Sequence, residues 1–335
     1  MPSLEGTDAV ETPNPLDRLT SAYRDAWSGL LVLPRPAPDV IVMGGATRVD
    51  FLQRMSTNDF SSLDPGQLRT TVLTTPLARI VDWVQVLAQP DRLLLLTTPG
   101  RGEAVLGWLR KHVFFRDDLT LQLDTTSRDS WLTLGAAAGA FVSSFVPGAE
   151  DMSMDTWQQA GEVLTWRVAR PAAGGWAIVA PSPGPPGLSE HSLPGPLAEP
   201  LYSILRIEAG IPATESEITA ERIPLEVGLS ASISLDKGCY IGQEIIARMT
   251  SRDRLARRLV GVRLGVEAKP GEELRQQDSL VGQLTSVACS PRLGWIALAL
   301  VRPTALRDEG SAVGVGASAE SARLVELPFP GPSGW

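Results

Sequence analysis

The sequence predicts an α+β protein built from a larger mixed domain and a small C-terminal β-barrel. Three observations carry that reading. The chain has 335 residues, 43% hydrophobic and 20% charged, enough for two cores. Up to about residue 252, strand-like and helix-like segments interleave without the regular alternation of a doubly wound parallel sheet. Beyond it, short apolar runs follow one another at short spacing with polar turns between, the pattern of a small barrel or sandwich.

Residues 1–15, with Pro2, Pro13, Pro15 and several acids, read as a mobile arm. Helical spacing at Leu16, Leu19, Tyr23, Ala26 and Trp27 predicts a helix within 16–33, stopped by Pro34, Pro36 and Pro38. A short buried strand is expected over 39–45. A helix should then open at Thr47, with Thr47 and Asp50 as a reciprocal capping box and Phe51, Leu52 and Met55 on its apolar face. Strands are expected over 70–73, 80–87 and 92–98, punctuated by Pro76, Pro90 and Pro99-Gly100. A helix over 103–112, strands over 119–123 and 131–134, a small-residue helix over 136–145 and strands over 162–168 and 176–179 follow. The proline-rich stretch 181–196 reads as a mobile loop. A helix from about 199 to 209 is closed by Gly210 and Pro212. A strand-like 232–235 leads through a glycine-containing turn into a helix over 243–249, and the barrel strands are expected at 259–264, 279–286, 294–301 and 323–327.

Charge and cysteine count narrow the function. A net charge of −8 disfavours direct nucleic-acid or membrane-surface binding, which needs surplus Lys and Arg. No run approaches the roughly 18 apolar residues of a membrane span, and residues 1–5 carry no basic, apolar leader, so the expected address is the cytoplasm. Two cysteines, Cys239 and Cys289, and two histidines, His112 and His191, cannot supply a self-contained iron–sulfur cluster or a four-thiolate zinc site.

The strongest local signal is 237–244, Lys-Gly-Cys-Tyr-Ile-Gly-Gln-Glu, where two glycines feed a helix. The partial positive charge of the helix end and the ammonium of Lys237 would both stabilise a thiolate at Cys239. Cys239 then reads as a redox nucleophile or one ligand of a shared cluster; as a small apolar residue it could equally pack under the turn. Gln243 and Glu244 also suit the first turn of any helix. Arg206, in Arg-Ile-Glu-Ala-Gly-Ile over 206–211, has the planar fork of a carboxylate or ring-carbonyl clamp, or forms an ordinary ion pair. Asp82 lies in an otherwise apolar strand, where a carboxylate is paired, functional or on a solvated face. The basic run Arg248, Arg252, Arg254, Arg257 and Arg258 suits an anionic partner or a solvated linker. Cys289 reads as buried packing.

Taken in order, these motifs resemble the YgfZ proteins of the superfamily of the glycine-cleavage aminomethyltransferase, GcvT. The carriers are the Lys-Gly-Cys-Tyr-Ile-Gly-Gln-Glu stretch, Phe51-Leu52-Gln53 with Thr57-Asn58-Asp59, Pro65-Gly66-Gln67, the 206–211 motif, and Val-Gly-Gln-Leu-Thr-Ser at 281–286 with Ser-Pro-Arg-Leu-Gly at 290–294. The resemblance implies a GcvT-like folate-binding α+β domain over 16–252 and a C-terminal β-barrel over 253–330, around a cavity for tetrahydrofolate or a one-carbon derivative. It implies a folate-binding accessory protein in assembly or repair of iron–sulfur clusters, acting on client enzymes and through them on tRNA modification. Cys239 with Lys237 would do the chemistry, and Asp82, Arg206, Tyr240 and Gln243 would bind the cofactor. The alternatives are an aminomethyltransferase moving a one-carbon unit to tetrahydrofolate, and a non-catalytic folate- or partner-binding module. Against a transferase stand Asp82-Trp83 in place of paired acids, no acid over 175–179, and Ala78 before Arg79 where the family places glycine.

Overall fold

Two five-stranded antiparallel sheets face one another in the mixed domain, and a closed six-stranded barrel follows. This is a computed structural model and describes residues 14–252, 255–277, 279–306, 312–316 and 318–332. The expected arm over 1–15 lies outside the described residues as far as residue 13. The first helix, α1, is Pro15–Ser28. The first sheet has the order β3 (Leu68–Thr74), β4 (Ile80–Ala88), β5 (Arg92–Thr97), β2 (Asp39–Gly44) and β6 (Thr120–Asp124). The second has the order β1 (Leu31–Arg35), β7 (Arg128–Leu134), β10 (Gly175–Pro181), β9 (Val163–Val168) and β8 (Trp157–Ala160).

Alternation along β4 explains how the first sheet is buried on both faces. Val84 and Val86 turn to helices α2 (Arg48–Met55) and α3 (Gly102–Arg110), packing with Phe51, Leu52, Met55, Val105 and Leu109. Leu87, with Leu68, Leu94 and Leu96, turns to the second sheet and meets Trp157, Leu164, Trp166 and Val179. Further along that inner face, Leu31, Leu33, Leu132 and Leu134 pack on α1 and on α6 (Gly195–Ala209). The outer face of the second sheet, through Trp131, Trp176 and Ile178, is covered by α4 (Ala138–Ser143) and by Leu188 of the short α5 (Leu188–His191).

The barrel runs in the order β11 (Arg258–Leu264), β14 (Gly294–Val301), β13 (Ser279–Ser290), β12 (Glu273–Gln276), β15 (Ala312–Val315) and β16 (Ser318–Val325). It is joined to the rest by a core that crosses the boundary. Val72 and Ile80 of the first sheet and Ile207 of α6 pack with Leu259, Ile296, Leu298 and Leu300 of the barrel. The last helix, α7 (Gln243–Arg252), precedes the barrel.

The α+β class, the barrel and most expected elements stand, with four corrections. The first helix stops at Ser28 and a strand follows, because Pro34 sits in β1, an edge strand where the missing N–H breaks no ladder. Thr47 makes no side-chain cap bond to its helix; its hydroxyl donates to the carbonyl of Asp118 at 2.9 Å. Residues 232–235 are not a strand, since 230–232 form a 3-10 turn. The 181–196 stretch is not an open loop: it holds α5 and the first turn of α6, which starts at Gly195. The expected stop at Gly210 is present with φ of 70°, its N–H bonding the carbonyl of Ile207 at 3.0 Å while Ile211 N–H bonds that of Arg206 at 2.8 Å.

Candidate functional site

β3 is an edge strand of the first sheet, and two successive segments cover it. Ser56 bridges to Leu73, and Thr57 N–H bonds the carbonyl of Val72 at 3.1 Å. Thr57 Oγ1 donates to Ser232 O at 2.6 Å, and Ser234 N–H reaches Thr57 O at 2.9 Å. The Thr57-Asn58-Asp59 motif thus seats the chain leading to Cys239. Gln53 braces the motif from α2, its amide donating to Asp59 Oδ1 at 2.9 Å and its carbonyl accepting from Phe60 N–H at 2.7 Å. Hydrogen bonds from the Ser61 N–H and hydroxyl, with that from Gln53, hold the Asp59 carboxyl down at about 2.

The 237–242 loop is anchored at both ends. Lys237 is buried and donates from Nζ to the carbonyls of Ser56, at 2.9 Å, and Asn58. Ile241 N–H bonds Arg54 O at 3.1 Å, and Ile241 O accepts from Thr74 Oγ1 at 2.7 Å. Tyr240 is buried in a small core with Ala78, Ile223 and Ile246, and burial pushes its phenol up to about 12. Gly242 has φ of +87° and is wedged against Thr74, Thr75 and Ala78. Ala78 itself has φ of 56°, a left-handed conformation that glycine adopts freely. Gln243 folds back to donate to Lys237 O at 3.4 Å. Between these anchors Cys239 is exposed and free.

Lys237 therefore serves two carbonyls, and its Nζ lies 5.1 Å from the Tyr240 ring centroid. Desolvation lowers its pKa from 10.5 to about 8. Folding therefore disfavours its charged form, and between pH 8 and 10.5 the unfolded chain binds more protons, so stability rises with pH. The tyrosines oppose this at higher pH: Tyr23 and Tyr240, both raised by burial, stay neutral in the fold after the unfolded phenols ionise near 10. The gain is expected between about pH 8 and 9.5 and should be absent from Lys237→Met, as read from urea melts at successive pH.

Asp82 and Trp83 leave β4 on opposite faces. Asp82 is buried, accepts from Thr98 Oγ1 at 2.6 Å and Thr98 N–H at 3.0 Å, and lies 3.9 Å from the Arg101 guanidinium. Burial pushes its carboxyl up, partly offset by the Thr98 bonds. Trp83 is half-buried, its indole N–H donating at 3.0 Å to Ser232 Oγ, which also meets Thr70 Oγ1 at 3.0 Å. Trp83, Gln85 and Leu87 share the face that looks to the second sheet, where Trp166 is buried with its Nε1 unpartnered.

Arg206 is buried against the barrel rather than exposed in a cleft. Its guanidinium reaches Ser286 Oγ at 2.8 Å and Glu217 Oε2 at 3.4 Å, and Ser286 donates to Glu217 Oε1 at 2.6 Å. Glu208, two residues on, enters a second knot. It accepts from Tyr23 Oη at 2.9 and 3.0 Å and from Ser290 Oγ at 2.5 Å, with Arg292 at 3.4 Å. Cys289 is corrected from buried to exposed: alternation turns Ser290 inward to Glu208 and Cys289 outward. Of the basic run, Arg248 pairs with Glu244 and Arg258 with Glu326, both at the surface; the side chains of Arg252 and Arg254 lie outside the described residues.

The structure thus brings Lys237, Cys239, Tyr240 and Gln243 into one loop and places Asp82 and Arg206 in separate clusters. The sequence reading missed Glu217, Ser286 and the Trp83–Ser232 contact. Glu217 stands among Glu215, Ser216 and Thr219, so its local sequence carries no signal of burial.

Residues 257–330 match the glycine cleavage T-protein C-terminal barrel domain. An Arabidopsis thaliana chloroplastic protein, described as a putative transferase, is 31% identical over 73% of this chain; the match spans 59% of that relative's length. Aminomethyltransferases of Thermotoga maritima and Rubrobacter xylanophilus are 27% and 28% identical over 85% and 83% of this chain, and over 82% and 77% of their own lengths. The crystal structure of the glycine cleavage system aminomethyltransferase T from Bartonella henselae superposes with a TM-score of 0.81 at 20% identity, covering 93% of this chain and 89% of that one. Among the described residues no helix is long and apolar enough to cross a membrane.

Proposed function

From the premise that this chain has the fold and C-terminal barrel of the GcvT-like aminomethyltransferase superfamily, we propose that it is a tetrahydrofolate-binding accessory protein of iron–sulfur cluster assembly or repair. Cys239 is its working thiol. One observation carries the reading: an exposed cysteine at the crest of a loop whose neighbours, Lys237 and Tyr240, are both buried. A packing cysteine would be inside and its neighbours out. A thiol so presented can reach a metal or a thiol on another macromolecule, while one cysteine cannot hold a cluster alone, so the cluster is cargo shared with a client. No group of three or more potential ligands is assembled among the described residues. The expected setting is the cytoplasm, with no direct nucleic-acid contact.

On this reading a folate would meet the face of β4 that bears Trp83, Gln85 and Leu87. A flat, hydrogen-bonding ring would find an aromatic face at Trp83, an amide at Gln85 and an unpartnered buried donor at Trp166 Nε1. Orphaned buried donors are rare in folded proteins. Asp82 leaves β4 on the opposite face and Arg206 is buried against the barrel; both have protein partners already and lie apart from this face. When bound, tetrahydrofolate supplies a one-carbon carrier.

Cys239→Ser is expected to abolish support of a cluster-dependent enzyme in cells lacking the protein, while tetrahydrofolate binding by anaerobic calorimetry and the melting temperature stay unchanged. Full support by the serine variant would sink the thiol reading. The second reading, an aminomethyltransferase, rests on the relatives' names and on Asp82, a buried carboxyl on a central strand. It requires turnover with an aminomethyl-lipoyl carrier that Asp82→Asn removes.

A further inference from the structure

Among the described residues, large apolar side chains stand exposed on segments that meet the thiol loop or its anchors. Phe115 is 93% exposed, Phe114 63%, Leu77 68% and Leu235 56%. Each belongs to a segment that touches the 235–242 loop or one of its anchors. Leu235 follows Ser234, whose N–H bonds Thr57. Leu77 lies in the 75–79 turn against which Gly242 is wedged. Phe114 is tied in through Arg54, whose carbonyl receives Ile241 while its guanidinium pairs with Asp117 at 2.7 Å and lies 5.2 Å from the Phe114 ring centroid. Exposed aromatic residues in a group mark interaction surfaces, whereas scattered ones are ordinary.

Over residues 110–118, around the pair, three cations outnumber two carboxylates, against the sign of the chain as a whole. Arg110, Lys111 and Arg116 flank the two phenylalanines, are exposed, and pair with no carboxylate among the described residues, in a protein of net charge −8. The Arg116 guanidinium lies 5.2 Å from the Phe115 ring centroid; of the two carboxylates, Asp117 is already paired with Arg54 and Asp118 accepts from Ala46 N–H at 3.3 Å. A two-fold contact would set this cationic patch against its own copy, which repulsion disfavours. A bilayer would accept aromatics and cations but offers nothing to a neighbouring thiol.

We infer that Phe114 and Phe115, with Leu77 and Leu235, form the docking surface for a polypeptide partner that offers an apolar pocket rimmed by carboxylates and so brings its reacting group to Cys239. The inference rests on Cys239 as the working thiol.

The test places photo-reactive p-benzoylphenylalanine at position 115, at 239 or, as a control, at exposed Met154, in the full chain, with irradiation in cells. The expected result is one and the same polypeptide joined at 115 and at 239 and absent at 154. In extracts its yield at 115 falls as salt rises, because the contact is charge-assisted. Phe114→Ser with Phe115→Ser should lower the adduct at 239 by about tenfold at unchanged melting temperature, the size of effect typical of lost aromatic anchors. Support lies in that coincidence, not in capture itself. Different polypeptides at the two positions, adducts with lipid or a second copy, no adduct at 115, or an adduct at 239 indifferent to the double substitution would each overturn the docking surface. Failure of the thiol reading looks different: Cys239→Ser would then have no phenotype while the adduct at 115 persists.

Discussion

Glu217→Ala is expected to lower folding stability by about 3–5 kcal/mol, the effect of removing one partner from a buried ion pair. The carboxylate is wholly buried and makes three contacts at once: the Arg206 guanidinium, the Ser286 hydroxyl and, at 2.7 Å, the N–H of Ala213. Alanine would leave a buried guanidinium without its counter-charge and a buried N–H without its acceptor, and water has little access to either. Because these groups join α6 to β13, the loss should appear as early loosening of the barrel. Hydrogen exchange at β13 and β14 should accelerate before that of the first sheet. Combining Arg206→Met with Glu217→Leu should recover much of the stability, since no unpaired charge then remains buried. A urea melt of Glu217→Ala that shifts by less than about 1 kcal/mol would mean the cluster is hydrated and the buried-pair argument fails.

The motif at 206–211 shows how far such a cluster can be read from the chain. Helix, stop and Gly210 were legible because local chemistry decides them: a left-handed residue at the helix end favours glycine. The roles of Arg206 and Glu208 were not, because their partners lie 80 and 82 residues away at Ser286 and Ser290. Only the approach of the barrel brings these groups together. The strands that escaped reading fail for related reasons. β8, β12 and β15 have four residues each, too few to display an alternation, and β1 is masked by a proline that an edge strand tolerates. Residues 232–235 alternate polar and apolar as a strand would, yet tertiary contact with Thr57 and Trp83 takes their polar groups. Cys289 misled because its neighbours Val287 and Ala288 are apolar, while the face of a strand residue is fixed by the register, here through Ser290. The thiol loop was the most legible part of the site, since glycines, lysine and cysteine are contiguous. Its anchoring on 54–58 was visible only as two motifs in one resemblance.

That anchoring predicts a sharp difference between two neighbouring glycines. In Gly242→Ala the new Cβ would stand 2.7 Å from Thr74 Oγ1, 2.8 Å from Thr75 O and 3.1 Å from Ala78 Cα, at a φ of +87° that side chains avoid. The left-handed conformation alone costs about 1–2 kcal/mol for a residue with a Cβ, and the clash with backbone atoms adds about 1–3 kcal/mol of overpacking. The cheapest escape is for the loop to lift off the 75–78 turn, breaking the bond between Ile241 O and Thr74 and straining that between Ile241 N–H and Arg54. Gly238→Ala meets nothing within 4 Å and should be neutral. Gly242→Ala should therefore lose about 2–5 kcal/mol, change the alkylation rate of Cys239 measured in a Cys289→Ala background, and abolish client support, while Gly238→Ala changes none of the three. Stability and function are coupled here through one seat: the loop that presents the thiol is held by close backbone packing on the first sheet, so a single methyl group at its base should disable a cysteine three residues away. Equal behaviour of the two alanine variants would show that the loop does not depend on that seat, and with it would go the argument that a rigid crest presents Cys239.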